Sequence, residues 1–328
     1  MDPEQFFTAS GVIIVAGKGG VGKTAVTATM AVAASSVGLR TLVVEVEGKA
    51  GLAAMFDSED LAYEQQELVP AGGGHGGVVA RSLTPDDALI DYLREHGMHR
   101  LGNRLIASGA LDIVATAVPG IRDILVLGKV KQLERAGGQD VILLDAPAAG
   151  HAVTFLRSAT GLADAVKVGP VHAQARDVLD LLGDPARCRV VLVTLPEETP
   201  VNELVQTAYS LEDEVGVALG PVVVNGVFAD LPGLAVDPED AAAAAGVQLA
   251  DGEADLLRRA AEFRRVRSEL QHAQLDRMAD ELPLPQLLLP YRFTSELGRG
   301  DLDALADALL DGIRSLPESS LPHTEPAR

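Results

Sequence analysis

Residues 11 to 25 read Gly-Val-Ile-Ile-Val-Ala-Gly-Lys-Gly-Gly-Val-Gly-Lys-Thr-Ala, and no other stretch restricts the fold as severely. Val12 to Ala16 is a short apolar run rich in β-branched residues, as a strand buried on both faces requires. Gly17 to Thr24 then matches G-x-x-x-x-G-K-[ST], and from Lys23 an Ala/Thr/Val-rich segment with helical character runs to about Gly38. Gly17, Gly19, Gly20 and Gly22 let the backbone curl so that its N–H groups, Val21 included, point inward around a phosphate chain. The helix beginning beneath them adds roughly half a positive charge. Lys23 is placed to reach β- and γ-phosphates and the Thr24 hydroxyl to take a position on Mg²⁺, with Ala25 completing the loop. Strand, glycine loop and helix together predict a nucleotide-triphosphate site in a mostly parallel α/β sheet flanked by helices. A second lysine, Lys18, stands immediately after the first glycine. A cation there cannot easily bend back onto the phosphates of its own loop.

Composition removes several function classes. The net charge of −20 argues against nucleic acid or an anionic membrane as a primary partner, since both bind basic patches. With one cysteine, Cys188, the chain forms no internal disulfide and has no Cys-x-x-Cys metal motif. An intracellular, cytoplasmic setting is expected. Met-Asp-Pro-Glu-Gln at the start lacks the basic and apolar regions of a signal peptide, and no apolar run approaches the roughly 20 residues that span a bilayer. A soluble protein is expected. At 328 residues, 47% of them hydrophobic, it can bury a large core, built from Ala, Val, Leu and Ile because aromatics are 3%. The expected organisation is one P-loop domain over 1–316, with a helical insertion at about 84–136 and a polar, Pro-containing tail at 317–328.

Further strands are predicted at 40–46, 78–81, 140–144, 189–195, 217–224 and 286–289, with a single helical stretch over 239–278 and a last helix over 301–315. Several of these strands end in side chains suited to chemistry at the carboxyl edge of a parallel sheet. The run at 40–46 leads into Glu47, which reads either as the group that orients or deprotonates an attacking water or as a solvated acid. The run at 140–144 closes on Asp145-Ala-Pro-Ala-Ala-Gly-His151, where an aspartate after an apolar strand suits the shell of a Mg²⁺ ion. Thr199 and Pro200 are expected to open a helix as N-cap and first-turn proline. Asn225 offers a donor and an acceptor suited to an adenine edge, or else merely makes an Asn-Gly turn. His75, in a glycine-rich loop, carries no metal role, and His151 reads as a hinge residue. Within the insertion, 101–118 holds more apolar residues than one amphipathic stripe needs, serving either as core or as a binding groove. The segment 256–270 is amphipathic and locally basic, a partner surface or a solvated helix face.

Taken together, Gly-Lys18-Gly-Gly-Val-Gly-Lys-Thr24, Pro119-Gly120, Asp145-Ala-Pro-Ala-Ala-Gly-His151, Val-Val-Val-Asn225 and Leu-Leu-Leu-Pro290 resemble the arsenical-pump and GET-pathway ATPase family over about 11–315. The resemblance implies a dimeric, Mg²⁺-dependent ATPase, homomeric or paired with a related chain. Its nucleotides would lie in the interface, and its insertion would act on a protein client. By the same likeness Lys18 reaches the partner's nucleotide, Glu197 faces it, and Asn225 with Pro290 surrounds adenine. The departures are specific. The family's Thr-Asp-Pro-Ala-His is here Val46-Glu47-Gly-Lys-Ala50, Ala25 replaces a threonine, and the proline of the 145–151 turn comes one place late. Arsenite sensing needs several thiols, and the zinc clamp of the tail-anchor targeting dimer needs Cys-x-x-Cys. Neither is present. Two further readings remain: a regulatory subunit that binds ATP but hydrolyses it feebly, and a partitioning ATPase, which would need a basic surface or an amphipathic C-terminal helix.

Overall fold

A computed structural model describes residues 1–46, 51–95, 97, 120–147 and 149–318. Eight strands form one sheet: β1 (Val12–Gly17), β2 (Thr41–Val46), β3 (Gln66–Val69), β4 (Val78–Leu83), β5 (Val141–Asp145), β6 (Cys188–Thr194), β7 (Val222–Val227) and β8 (Gln286–Pro290). Their order is β3-β4-β2-β5-β1-β6-β7-β8. β3 pairs antiparallel with β4, and every other pairing is parallel. Every residue of β1, β2, β5 and β6 is buried, as near-continuous apolar strands covered on both faces demand.

Alternation along β1 shows the layering. Val12, Ile14 and Ala16 pack into one cluster with Ile124, Leu127, Phe155, Val178 and Leu204, whereas Ile13 and Val15 join Val26, Met30, Leu305 and Leu309 in another. The first layer holds α5 (Ile121–Ala136), α6 (Ala149–Ala165), α7 (Pro170–Leu182) and α8 (Glu198–Ser210), and the second holds α2 (Lys23–Ser36) and α11 (Arg299–Ser315). Between them in the chain lie α3 (Gly51–Met55), α4 (Pro85–Glu95), α9 (Pro238–Ala245) and α10 (Glu253–Glu281).

The sequence missed α1 (Pro3–Thr8), although Asp2 caps it by accepting from the Gln5 amide and Pro3 starts it. Its Phe6 is fully buried under the Arg189 guanidinium, 4.4 Å from the ring centre. Three other expectations are corrected. Helix α8 starts at Glu198 with Glu197 as N-cap, so Thr199 is its second residue and not its N-cap, while Pro200 stands in the first turn as expected. The single helix expected over 239–278 is two, because Gly246 and Gly252 take left-handed conformations at φ 68° and 78°. The strand expected at 217–224 begins at Val222, preceded by an isolated bridge between Leu219 and Val190. Of the helical insertion expected at about 84–136, α4 and α5 are its first and last helices; the apolar stretch at 101–118, with Pro119, lies outside the described residues.

Candidate functional site

Because β1, β2, β5, β6, β7 and β8 run parallel, the loops that follow them emerge at one edge. β1 sits between β5 and β6, which sets its glycine loop between the turn after Asp145 and the turn after Thr194. Gly17 is sterically required there. A Cβ on it would stand 2.4 Å from the Val193 carbonyl oxygen, and backbone cannot yield that distance. Gly22 is required for a different reason: its φ is +88°, and a Cβ would lie 2.3 Å from Asn225 Nδ2. Gly19 and Gly20 are exposed on the crest of the loop.

Helix α2 begins at Lys23 with no side chain capping its first turn and no acidic residue there. Its leading N–H groups thus face the loop's concavity with the positive end of the helix behind them, an arrangement that favours an anion. Lys23 is buried, and its Nζ donates to the Lys18 carbonyl oxygen at 2.9 Å, drawing the loop closed. Asn225, on β7, donates through Nδ2 to the Val21 carbonyl at 3.0 Å. One amide hydrogen and the Oδ1 acceptor lie outside that bond, in keeping with the two donors of an asparagine amide. Asn225 also lines a cavity of about 240 Å³ with Gly226, Pro290, Tyr291 and Arg292. The residues expected at β7 and β8 are thus brought together beside the glycine loop.

Thr24 and Asp145 are 121 residues apart and meet directly: Thr24 Oγ1 donates to Asp145 Oδ2 at 2.7 Å. Asp145 is fully buried at the end of β5, in register with Val15 on one side and Glu45 on the other. Sequence inspection passed over Glu45, which is also buried. Threonine hydroxyl and aspartate carboxylate are hard oxygen donors, suited to Mg²⁺ completed by phosphate and water. Among the described residues no group of three or more His, Cys, Asp or Glu is placed to hold a metal by itself.

Lys18 does not join this concavity. Its ammonium reaches Glu203 on α8 at 2.5 Å, and both side chains are 39% exposed. Glu203 gave no signal in the sequence, because an acidic residue 185 positions away belongs to no motif. Glu197, capping the same helix, lies 3.3 Å from Arg267 of α10. Ala25 is half-buried in the first turn of α2. Glu47 lies outside the described residues, and so does the turn residue Ala148.

A doubly covered parallel sheet with a glycine loop, an uncapped helix start and a threonine–aspartate contact defines a P-loop nucleoside triphosphatase. The profile described as anion-transporting ATPase matches residues 10–169. The ATPase BagA of Mycobacterium tuberculosis is 31% identical over 92% of this chain and 93% of its own length. A putative arsenical pump-driving ATPase of Halobacterium salinarum is 25% identical over 90% of this chain and 44% of its own. An ATPase get3 of Schizosaccharomyces japonicus is 27% identical over 47% of this chain and 45% of its own. The chain belongs to the anion-transporting ATPase family, and it is an ATPase. No helix among the described residues is long and apolar enough to cross a membrane.

Proposed function

We propose that this ATPase is a Mg²⁺-dependent switch that closes as a dimer around ATP, homomeric or with a related chain, and acts on a protein client through its helical insertion. The observation that carries the reading is the division of labour between two lysines. Lys23 is turned into the loop, whereas Lys18 is turned out of it toward a half-exposed carboxylate. Lys23 offsets the charge on the β- and γ-phosphates while the loop N–H groups of Gly17, Gly19, Gly20, Val21, Gly22, Thr24 and Ala25 hold the chain in line. Thr24 and Asp145 supply oxygens for Mg²⁺, which when bound would neutralise developing phosphoryl charge. Asn225 and Pro290 enclose the adenine, Glu197 faces the interface, and Glu47 accepts the proton of the attacking water. Lys18 completes the partner's site.

The test compares two variants. Lys23→Ala is expected to reduce Mg·ATP binding below detection in calorimetry. Lys18→Ala is expected to bind as wild type does but to dimerise weakly with a non-hydrolysable analogue in light scattering. Unchanged affinity in Lys23→Ala would remove the loop reading, and unchanged dimerisation in Lys18→Ala would remove the dimer reading. A second reading, an ATP-holding subunit with feeble turnover, is favoured by Glu47 standing where the family has aspartate. Steady-state turnover separates the two, since only the switch loses rate on Lys18→Ala.

A further inference from the structure

We propose that Glu203 is a positioning residue for Lys18: it parks the ammonium on its own subunit and releases it to the partner's nucleotide when the dimer closes. This rests on the dimer reading above. Three observations converge on it. The backbone at Lys18 is anchored, since its carbonyl takes the Lys23 ammonium at 2.9 Å. Its side chain leaves in another direction, ending 2.5 Å from Glu203 Oε1. And Glu203 is held at a fixed place on α8, because Val201, Leu204 and Ala208 of that helix are buried against the sheet. The carboxylate is therefore set by the core, and the flexible lysine comes to it.

Exposure decides how strong such a pairing is. At 39% exposure on both sides, the pair is screened by water and biases a conformational equilibrium by about two- to fivefold. That suffices to bias where a flexible lysine rests without making the choice permanent. A triphosphate brought alongside by a second subunit carries several negative charges against the single one of Glu203, so the ammonium exchanges partners. The neighbouring Gly19 and Gly20 are exposed, leaving this crest open to an approaching subunit. Glu203 thus opposes premature closure and makes it conditional on nucleotide in the other subunit.

The experiment is a double-mutant cycle on the full chain, with dimer dissociation constants from sedimentation in Mg²⁺ and a non-hydrolysable ATP analogue. Glu203→Gln is expected to tighten the dimer by about two- to fivefold for each subunit that carries it, with single-subunit nucleotide affinity unchanged at high dilution. Glu203→Asp, which keeps the charge, is expected to stay with wild type. In a Lys18→Ala background the gain from Glu203→Gln is expected to vanish, a coupling that a merely structural role for Glu203 would not produce. Equal or weaker dimerisation of Glu203→Gln, or a gain that persists without Lys18, overturns the proposal while leaving the dimer reading intact. A wild-type chain that binds the analogue and stays monomeric overturns both.

Discussion

The centre of the sheet and the helix α10 are made on opposite terms. Around β1 every strand residue is buried, and the polar side chains beside it are tied to particular partners. Thr24 donates to Asp145, Lys23 to the loop carbonyl and Asn225 to Val21. α10 runs for 29 residues and buries only Gln271 and Met278. Leu256, Phe263 and Leu270 recur on it every seventh position, each more than half exposed. What holds α10 helical is largely local: Arg258 with Asp255, Arg265 with Glu262 and Glu269. Its basic character, conspicuous in the sequence, is mostly taken up in pairs, including Arg258 with Asp237 and Arg267 with Glu197. Position in the sheet dictates residues one by one, whereas a solvated helix dictates only propensity and charge balance.

The comparison can be broken first at Cys188 on β6. Its thiol is fully buried, and burial pushes its pKa up to about 12. Alkylation requires the thiolate at the surface, so labelling at pH 8 should follow global opening. A rate at least about 10³-fold below that of the unfolded chain is expected, given the usual unfolded fractions. Fast labelling of folded protein would show that the centre opens locally. Next in size, Leu144→Ala on β5 should cost about 2–5 kcal/mol in urea unfolding, through lost burial and the cavity left behind.

Turnover supplies the next step down. Glu47→Gln should slow ATP hydrolysis by about 10²-fold or more, the scale for losing a positioned base, with binding preserved. Glu47→Asp should be tolerated or faster. Wild-type turnover in Glu47→Gln would move the base assignment to a water network centred on Asp145.

How far the chain could be read in advance follows the same division. β1, β2, β5 and β6 stand where near-continuous apolar runs put them, because burial on both faces leaves few polar positions, such as Glu45 and Arg189, to confuse the pattern. Thr24 and Asp145, each read in the sequence as a ligand of one ion, lie side by side, and their direct hydrogen bond is what the structure adds. β3 was not: Gln66-Glu-Leu-Val69 is an antiparallel edge strand of largely half-exposed residues, with neither apolar run nor clean alternation. The break in the long C-terminal helix hid for a related reason. An Ala run and an arginine-rich segment both favour helix, and only the backbone angles at Gly246 and Gly252 separate them. Glu203 was illegible because an ion pair across 185 residues depends on tertiary placement alone.

The smallest effect is expected at Phe263, and it tests the exposed side of the comparison most directly. Phe263 is 70% exposed on α10, beside Val236 at a groove of about 770 Å³. Serine and phenylalanine have similar helix propensities, so the backbone contributes almost nothing to the exchange. Little apolar surface is withdrawn from water by Phe263, so little is lost when the ring goes. Phe263→Ser should therefore change stability by less than about 0.5 kcal/mol, a shift in Tm under about 2 °C for a chain of this size. Met278→Ala, at the buried end of the same helix, should cost about 2–5 kcal/mol. Should Phe263→Ser match Met278→Ala, and should its cost grow with protein concentration, a second molecule covers this face in solution. The contrast between core and helix would then be one of partners rather than of burial.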